Sequence, residues 1–453
     1  MPQQFFSNYN VFISDRDDYV LFNTLTGYAL RLSYDEKSMI EEGNIPENIE
    51  DVFSEGFVTG DVNKIFNDLT MEKNIFEPTL LLTYNCNFDC SYCFQKDYRK
   101  GIYVNDDVID GFINYINKNN DGKKTRVTFF GGEPLLNIKG IKKISERLKN
   151  IKYEFSIVTN GSLLTENVAD ELYNYGLRYV QITLDGPEEV HNKRRYFDNG
   201  RGSFNIIMKN LKYAQNRFNI VLRINIDYSN KNEIDELLEN LKLNGISNVR
   251  IDPHMVHENL FRNEAWDENI PRKNEYIEIK NIWNKIREHG FKIPDDAFRL
   301  GICVAHIDRD IIADPYGNIY PCWAFTGNEK YIKGKLNKNG DITLINKELT
   351  ADKAAMAWKN DECINCPYLP MCFGGCRFFS VLNGNIIIID NYDKNFDYSG
   401  YEAIIIKSSV TNRIIDNFID KNKTIVYNTE ISGNIKTGDK INIDSDTGII
   451  TFL

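Results

Sequence analysis

The chain lacks any stretch that would carry it across a membrane. Its longest aliphatic run is Ile386–Ile389, whereas a spanning helix needs about 18 apolar residues or more. The opening residues, MPQQFFSNYN, have neither the charged start nor the apolar stretch of a secretory signal. We therefore expect a cytoplasmic protein with no membrane partner.

The chain also lacks an excess of positive charge. Its net charge is -11, with 54 lysines and arginines against 65 aspartates and glutamates, which argues against a broad nucleic-acid-binding face. The net charge does not argue against a local basic groove that binds an acidic peptide. The 42% hydrophobic and 26% charged fractions are ordinary for a globular protein. A length of 453 residues predicts two or three domains.

Cysteine is absent from the long stretch between Cys93 and Cys303 and from the residues after Cys376. The nine cysteines therefore fall into two groups, and clustered thiols in a reducing compartment indicate metal ligands more than disulfides. The first group is Cys86, Cys90 and Cys93. The second group is Cys303, Cys322, Cys363, Cys366, Cys372 and Cys376.

Short β-branched runs alternate with segments that carry apolar residues at helical spacing. The predicted strands cover residues 79–84, 126–130, 154–159, 179–184, 219–226 and 248–253. This alternation predicts a parallel sheet with helices packed outside it. Because eight units close a full barrel, six predict an α/β fold with a partial, TIM-like (β/α)6 barrel.

Distinctive motifs follow the first four predicted strands, at the edge where barrel enzymes place their chemistry. In chain order they are the segment from Cys86 to Cys93, Gly131-Gly132-Glu133-Pro134 (hereafter the Gly-Gly-Glu-Pro loop), Thr159-Asn160-Gly161 and Asp185-Gly186-Pro187. Three closely spaced thiolates can hold three irons of a cubane cluster and leave the fourth iron open. A zinc site with a fourth ligand from elsewhere is the alternative.

The Cys-x3-Cys-x2-Cys triplet, with an aromatic residue before its last cysteine and a Gly-Gly-Glu-Pro loop downstream, resembles the radical S-adenosylmethionine (SAM) superfamily. The resemblance implies a 4Fe–4S cluster on Cys86, Cys90 and Cys93. It also implies that SAM chelates the open iron and is cleaved to a 5′-deoxyadenosyl radical.

The same resemblance assigns SAM contacts. The Gly-Gly-Glu-Pro loop would receive the ammonium group, and Tyr92 would lie against the adenine. Arg195 would bind the carboxylate, because a guanidinium can pair with it in a bidentate way. His191 is interpreted as a capping or surface histidine. The candidates for the ribose and nearby polar groups are Thr159, Asn160 and Asp185.

The spacing of the second cysteine group resembles the SPASM extension of radical SAM enzymes, which carries two auxiliary 4Fe–4S clusters. By this resemblance the first auxiliary cluster takes Cys303, Cys322 and Cys376, and the second takes Cys363, Cys366 and Cys372. A pair of zinc knuckles is the alternative. Each auxiliary cluster lacks a fourth cysteine. The first could bind a substrate thiolate, and oxygen ligands for the second are Asp390, Asp393 or Asp397.

Residues 1–75 predict a small α+β module, with a hairpin over residues 19–22 and 28–32 and helices over 35–42 and 61–68. The module could simply cap the barrel, or it could bind a peptide by adding a strand to a sheet edge. In size and element order it resembles the winged-helix-like (RRE or PqqD-like) leader-recognition domains of peptide-modifying radical SAM enzymes.

We therefore expect five segments. They are a leader-recognition-like domain at 1–75, the barrel at 76–255, a helical linker at 256–302, a SPASM domain at 303–380 and a β-rich tail at 381–453, with strands at 386–389, 403–406 and 441–443. The resemblance implies a maturase that installs a thioether or carbon–carbon cross-link in a ribosomally made precursor peptide. Its partners would be that peptide, through its leader, and a flavodoxin- or ferredoxin-type electron donor.

Two other functions remain open at this point. An anaerobic sulfatase-type maturase, which makes formylglycine, shares this core but often has an aspartate base directly after the cysteine equivalent to Cys322. Here that residue is Trp323. The second alternative is a non-catalytic scaffold with zinc in its cysteine sites.

Overall fold

The computed structural model divides into two compact units, residues 1–373 and 374–453. The residues that the structure describes are 7–15, 18–58, 75–256, 272–293, 303–307, 309–346, 365–372, 386–389, 403–406, 424–427, 441–443 and 450–452. None of the helices within these ranges is both long and apolar enough to cross a bilayer.

The N-terminal module is a three-stranded antiparallel sheet with two helices, which confirms the small α+β fold. Its elements are β1 (Asn10–Asp15), β2 (Asp18–Asn23), β3 (Ala29–Leu32), α1 (Tyr34–Glu41), a short 3-10 turn (Glu47–Ile49) and α2 (Glu50–Gly56). Helix α1 begins after Ser33, whose side chain and that of Glu36 form a reciprocal capping box. Leu21, Leu32 and Phe53 lie in the module's own apolar core. The hairpin prediction missed β1, and the predicted helix at 61–68 lies outside the described residues.

The partial barrel is confirmed as a run of parallel strands with helices between them. Its strands are β4 (Ile75–Phe76), β5 (Thr79–Leu81), β6 (Lys124–Phe130), β7 (Tyr153–Thr159), β8 (Leu177–Thr183), β9 (Asn219–Ile226) and β10 (Val249–Met255). Its helices are α3 (Asp106–Asn119), α4 (Ile138–Leu148), α5 (Glu166–Asn174), α6 (Glu188–Arg194), α7 (Phe204–Ala214) and α8 (Ile234–Leu243). Strands β5 to β10 pair in sequence order, and β4 pairs with β6.

Local sequence explains why these elements form. Helix α3 begins after Asn105, whose side chain accepts a hydrogen bond from the Val108 N–H. Val108, Phe112 and Ile116 recur at helical spacing and are buried in the barrel core. Strand β9 alternates buried and partly exposed residues along its length, as a strand with one face on the core should.

The cysteine-rich region continues the barrel sheet. Strand β11 (Ile312–Ala313) pairs in parallel with β5, and the antiparallel strands β12 (Asn318–Tyr320), β13 (Gly334–Leu336) and β14 (Ile342–Leu344) follow. This junction was not predicted from sequence. Cys322 follows β12 by two residues, so the sheet connects its segment, through β11, to β5, the strand that leads to Cys86.

The remaining described elements complete the two units. Within residues 256–302, the predicted linker, the described residues include helix α9 (Arg272–Glu288), and a short helix α10 (Leu369–Cys372) follows later in the first unit. The second unit contains a parallel sheet of β15 (Ile386–Ile389), β16 (Ala403–Ile406) and β17 (Thr424–Tyr427) and an antiparallel pair of β18 (Ile441–Ile443) and β19 (Ile450–Phe452).

Candidate active site at the carboxyl ends of the barrel strands

The first cysteine group lies in the loop after β5, around one arginine. The Arg99 Nη2 atom is 3.6 Å from the Cys93 sulfur, and its guanidinium also interacts electrostatically with Cys86 and Cys90. Burial raises the pKa of Cys86 to about 12 and that of Cys90 to about 11. Both thiols are therefore protonated near neutrality without a metal, and metal binding would displace those protons.

The three thiols suit a multi-iron cluster better than a single ion. Among the described residues, no three His, Cys, Asp or Glu side chains converge on the position of one metal ion. A zinc site would hold its sulfurs about 2.3 Å from a single point. The thiolates of a cubane cluster bind separate irons and stand farther apart. The donor set of Cys86, Cys90 and Cys93 therefore fits the cluster.

The Gly-Gly-Glu-Pro loop lies against the cysteine loop because its glycines have no side chains. Gly131 and Gly132 have φ values of 87° and 47°, which glycine adopts readily. A Cβ atom on Gly132 would lie 2.0 Å from the Asn85 carbonyl oxygen. The Glu133 N–H donates to that same oxygen at 2.8 Å. The loop thus forms a tight backbone cradle beside the cysteines.

The Gly132→Ala substitution should lower SAM affinity by at least about 100-fold, because both the clash and the positive φ would displace the loop. Gly122→Ala is the matched control, since Gly122 has a φ of 71° but nothing within 4 Å of an added Cβ. Equilibrium binding of SAM to both reconstituted variants is the measurement. Equal affinities in the two variants would contradict this account of the cradle.

Glu133 joins the ends of β6 and β7. Its fully buried carboxylate accepts hydrogen bonds from the Thr159 hydroxyl at 2.7 Å, the Asn160 N–H at 2.8 Å and the Leu135 N–H at 3.0 Å. Burial raises the pKa of Glu133 despite these bonds. A carboxylate offers about four acceptor positions, and three hydrogen bonds occupy part of them here, so the contact of Glu133 with the SAM ammonium stays a prediction. Pro134 then starts a short 3-10 helix, Pro134–Asn137.

Asn160 contacts the cysteine loop directly. Its side-chain amide donates to Asn87 Oδ1 at 2.8 Å and lies 3.8 Å from the Cys86 sulfur. The structure therefore places Thr159 and Asn160, two predicted site residues, beside the Gly-Gly-Glu-Pro loop.

Tyr92 belongs to a buried polar cluster at the ends of β8 and β9. Its hydroxyl donates to Asp185 and accepts from Arg195 Nη1 at 2.8 Å and from Asn225 Nδ2 at 3.0 Å. Arg194 stands over the Tyr92 ring, 5.1 Å from its centroid. Only 5% of Tyr92 is exposed, so its contact with adenine stays a prediction.

His191 is not on the surface, so that half of the interpretation as a capping or surface histidine was wrong. The ring is fully buried and its Nδ1 accepts the Asp185 N–H at 3.1 Å. Its Nε2 lies 3.0 Å from the Ser203 hydroxyl, which donates to the Arg195 carbonyl at 2.7 Å. Burial lowers the pKa of His191 well below its usual value. The neutral ring therefore fixes both Asp185 and Arg195, two predicted SAM contacts.

Arg194 and Asp227 are buried site residues that the sequence analysis missed. Arg194 Nη1 donates to Asp227 at 2.6 Å, and its Nε lies 3.6 Å from Asp185. The only sequence signal was the adjacent pair of arginines after His191. Nothing in the spacing showed whether Arg194 or Arg195 would pair with the buried aspartates.

The turn after Cys322 packs directly on the Gly-Gly-Glu-Pro loop. The Trp323 ring stacks on Phe130, the last residue of β6, with centroids 5.0 Å apart. Gln95, in the loop after Cys93, donates to the Thr326 hydroxyl at 2.9 Å. The turn that follows Cys322 therefore lies beside the segment that follows Cys93.

The rest of the second cysteine group is only partly described. Cys303 precedes a short 3-10 helix, Val304–His306. Cys366 lies near Tyr9 of the N-terminal module, whose pKa is raised to about 12 by burial and by that thiol. Cys372 ends helix α10. The described residues do not include Cys363, Cys376, Asp390, Asp393 or Asp397.

Comparisons with known proteins agree with this geometry. Residues 80–241 match the family model of the radical SAM superfamily. The radical SAM cyclopropyl synthase TigE of Paramaledivibacter caminithermalis is 24% identical over 430 residues, covering 83% of this chain and 86% of TigE. A cysteine-type anaerobic sulfatase-maturating enzyme of Clostridium novyi is 27% identical over 333 residues, covering 65% of this chain and 85% of that enzyme.

Two solved structures share the fold. Native anSMEcpe with bound AdoMet has a TM-score of 0.52 at 20% identity, and the match covers 66% of this chain and 89% of anSMEcpe. Streptococcus suis SuiB bound to S-adenosylmethionine has a TM-score of 0.50 at 16% identity and covers 82% of this chain and 95% of its own.

The matched region contains the cysteine loop, the Gly-Gly-Glu-Pro loop and the polar cluster around Asp185. A non-catalytic zinc scaffold is therefore excluded as the function of this region. The domain at residues 80–241 belongs to the radical SAM superfamily, and the protein is an enzyme that uses a 4Fe–4S cluster and SAM.

Proposed function

We propose that this enzyme is a peptide maturase that modifies a ribosomally made precursor. The observation that carries the proposal is the extent of the matches. TigE and SuiB match 83% and 82% of this chain, well beyond the barrel, whereas the sulfatase-maturating enzyme of Clostridium novyi matches 65% of it. SuiB has also been solved bound to its precursor peptide SuiA, which supports a peptide partner for this chain.

The residues of the site divide the work of that reaction. Cys86, Cys90 and Cys93 would hold the SAM-binding cluster, and the Gly-Gly-Glu-Pro loop would orient SAM beside it. When bound, the cluster and SAM supply the one-electron chemistry that removes a hydrogen atom from an unactivated C–H bond. The buried network of His191 and Asp185 keeps the carboxyl edge of the sheet rigid, so that a substrate hydrogen can be held in place.

Trp323 favours this reaction over formylglycine formation. In the sulfatase-type enzymes the residue at this position is often an aspartate base. An indole has one N–H donor and accepts no proton, so Trp323 cannot act as that base. The sulfatase-type reaction stays the second candidate because the Clostridium novyi enzyme is 27% identical to this chain.

The bond formed is proposed from the relative. Closing a cyclopropyl ring makes a carbon–carbon bond, and TigE is named for that product. We therefore favour carbon–carbon bond formation over a thioether. Because a carbon–carbon bond contains no sulfur, the substrate peptide would then need no cysteine.

Two auxiliary 4Fe–4S clusters are part of the proposal. Cys303, Cys322 and Cys376 would hold the first, and the second would take Cys363, Cys366 and Cys372. Since Cys322 precedes the turn that packs on the Gly-Gly-Glu-Pro loop, the first auxiliary cluster would lie near the SAM site. It could then accept an electron from the substrate, and a flavodoxin- or ferredoxin-type protein would supply the reducing electron.

The N-terminal module is proposed to bind the leader of the precursor. Its sheet has the order β1-β2-β3, so β1 and β3 are edge strands that could pair with an extended peptide. The Thr24 hydroxyl donates to the Pro367 carbonyl, next to the predicted cluster ligand Cys366. A leader bound there would approach the auxiliary-cluster region.

The experiment is to search the neighbouring genes for a small peptide of precursor type and to assay its turnover by the reduced enzyme with SAM. We expect loss of a hydrogen pair from the core peptide with deoxyadenosine formation. The enzyme without residues 1–75 should keep basal SAM cleavage but bind the leader at least about 100-fold more weakly. Formylglycine in a sulfatase peptide would favour the second candidate, and unchanged leader binding would exclude the docking role.

A further inference from the structure

Gln95 joins the SAM loop to the turn that follows Cys322. Its side chain is buried, with 4% exposed. Its Oε1 accepts the Gly132 N–H at 2.9 Å, and its Nε2 donates to the Thr326 hydroxyl at 2.9 Å. That hydroxyl donates in turn to the Trp323 carbonyl at 2.7 Å. A continuous line of hydrogen bonds therefore runs from the Gly-Gly-Glu-Pro loop to the turn that follows Cys322.

The bond to Gly132 fixes the direction of a carbonyl. In a planar trans peptide, the C=O of Gly131 and the N–H of Gly132 point in opposite directions. Holding that N–H against Gln95 therefore aims the Gly131 carbonyl away from Gln95. The next peptide plane is fixed by backbone alone, through Glu133 N–H and the Asn85 carbonyl at 2.8 Å.

The glycine pair needs such a restraint. Two consecutive glycines with positive φ have more accessible backbone conformations than any other dipeptide. Phe130, just before the pair, is held by stacking on Trp323 at 5.0 Å. The turn after Cys322 thus restrains the loop at two points, through a ring contact and through Gln95.

We propose that Gln95 is a positioning residue that orients the Gly131 carbonyl for the SAM ammonium group and couples SAM binding to the Cys322 turn. The inference rests on the proposed role of the Gly-Gly-Glu-Pro loop as the SAM ammonium site. Gln95 acts through Gly132 and need not touch SAM. Its coupling to Thr326 makes SAM affinity depend on a segment outside residues 80–241, the matched radical SAM region.

The test is the SAM dissociation constant of reconstituted enzyme at matched iron content, without peptide. Gln95→Met keeps an unbranched side chain of similar length but removes both hydrogen bonds, and should weaken SAM binding about tenfold. Thr326→Val keeps its shape and removes one bond, and should weaken binding about threefold. Because both changes break one line of bonds, the double variant should bind SAM about as weakly as Gln95→Met alone.

Tyr320→Phe is the matched control. The Tyr320 hydroxyl lies 3.2 Å from Asp314, which also accepts from Tyr84 at 3.1 Å. Tyr320 and Asp314 both lie in the cysteine-rich region, and Tyr84 joins them from the segment before Cys86, so this cluster lies between the same two regions but does not reach Gly132. If the substitutions act by loosening this part of the protein in general, Tyr320→Phe should weaken SAM binding as well. If Gln95 acts by positioning the Gly131 carbonyl, Tyr320→Phe should bind SAM with wild-type affinity.

The outcomes separate the inference from the function on which it rests. Wild-type affinity in Gln95→Met, or an equal loss in Tyr320→Phe, overturns the positioning role while SAM binding by the wild type stands. Failure of the wild-type enzyme to bind SAM overturns both. If Gln95→Met does not fold, Thr326→Val decides, and wild-type affinity in that variant overturns the coupling.

Discussion

The Cys90→Ala enzyme should cleave SAM at least about 1,000-fold more slowly than the wild type, with or without peptide. Cys90 is buried between Cys86 and Cys93 at the end of β5. A cubane cluster held by three thiolates cannot be retained in place by two. Deoxyadenosine formation from SAM under strong reductant is the measurement.

Ser91→Ala provides the control for that result, because Ser91 is the exposed neighbour of Cys90. It should form deoxyadenosine at the wild-type rate. Iron content adds a second readout, since Cys90→Ala should lose about four irons per chain and keep those of any auxiliary clusters. Undiminished SAM cleavage in Cys90→Ala would remove the assigned cluster site.

The Arg194→Met substitution should destabilise the barrel by about 3–5 kcal/mol. The Arg194 side chain is 8% exposed, and Asp185 and Asp227 are completely buried. Removing the guanidinium would take the cation that pairs with the buried Asp227 and a nearby cation from the buried Asp185, and breaking a buried pair costs far more than breaking a surface pair. The thermal midpoint of the barrel should fall by about 10 °C.

The matched control is Arg217→Met, which breaks an ion pair with Asp170 that is exposed to solvent on both sides. Solvent screens that pair, so its loss should leave the thermal midpoint unchanged. Differential scanning calorimetry of both variants without clusters makes the comparison. An equal shift in the two would show that the buried network does not stabilise the barrel.

The barrel was predictable because its pattern is local. The strand predicted at 219–226 has the observed bounds, Asn219–Ile226, since alternating aliphatic residues define it without reference to a partner. The other barrel strands shifted by one to three residues at their ends. What sequence did not show was the pairing of β11 with β5. Ile312 and Ala313 are too few to show a strand pattern in the sequence. They form a strand because they pair with β5.

The candidate site was predictable where backbone geometry requires particular residues. Gly132 must lack a side chain to lie beside Asn85, so its glycine is visible in the sequence. Gln95 and Arg194 act through hydrogen bonds to residues 33 to 231 positions away, and no local spacing predicts those partners. His191 bonds to Asp185 only six residues away, but its burial depends on the packing of the whole barrel edge, which the sequence does not show.

The central claim is tested most directly by counting iron and acid-labile sulfide in protein that has been purified without oxygen and reconstituted, while deoxyadenosine formation from SAM is assayed in parallel. We expect about twelve irons and twelve sulfides per chain, four of each per cluster, together with deoxyadenosine. About four irons per chain together with deoxyadenosine would contradict the two auxiliary clusters, while the cluster on Cys86, Cys90 and Cys93 would stand. Zinc without sulfide, and no deoxyadenosine, would contradict the assignment of the Cys86, Cys90 and Cys93 site itself.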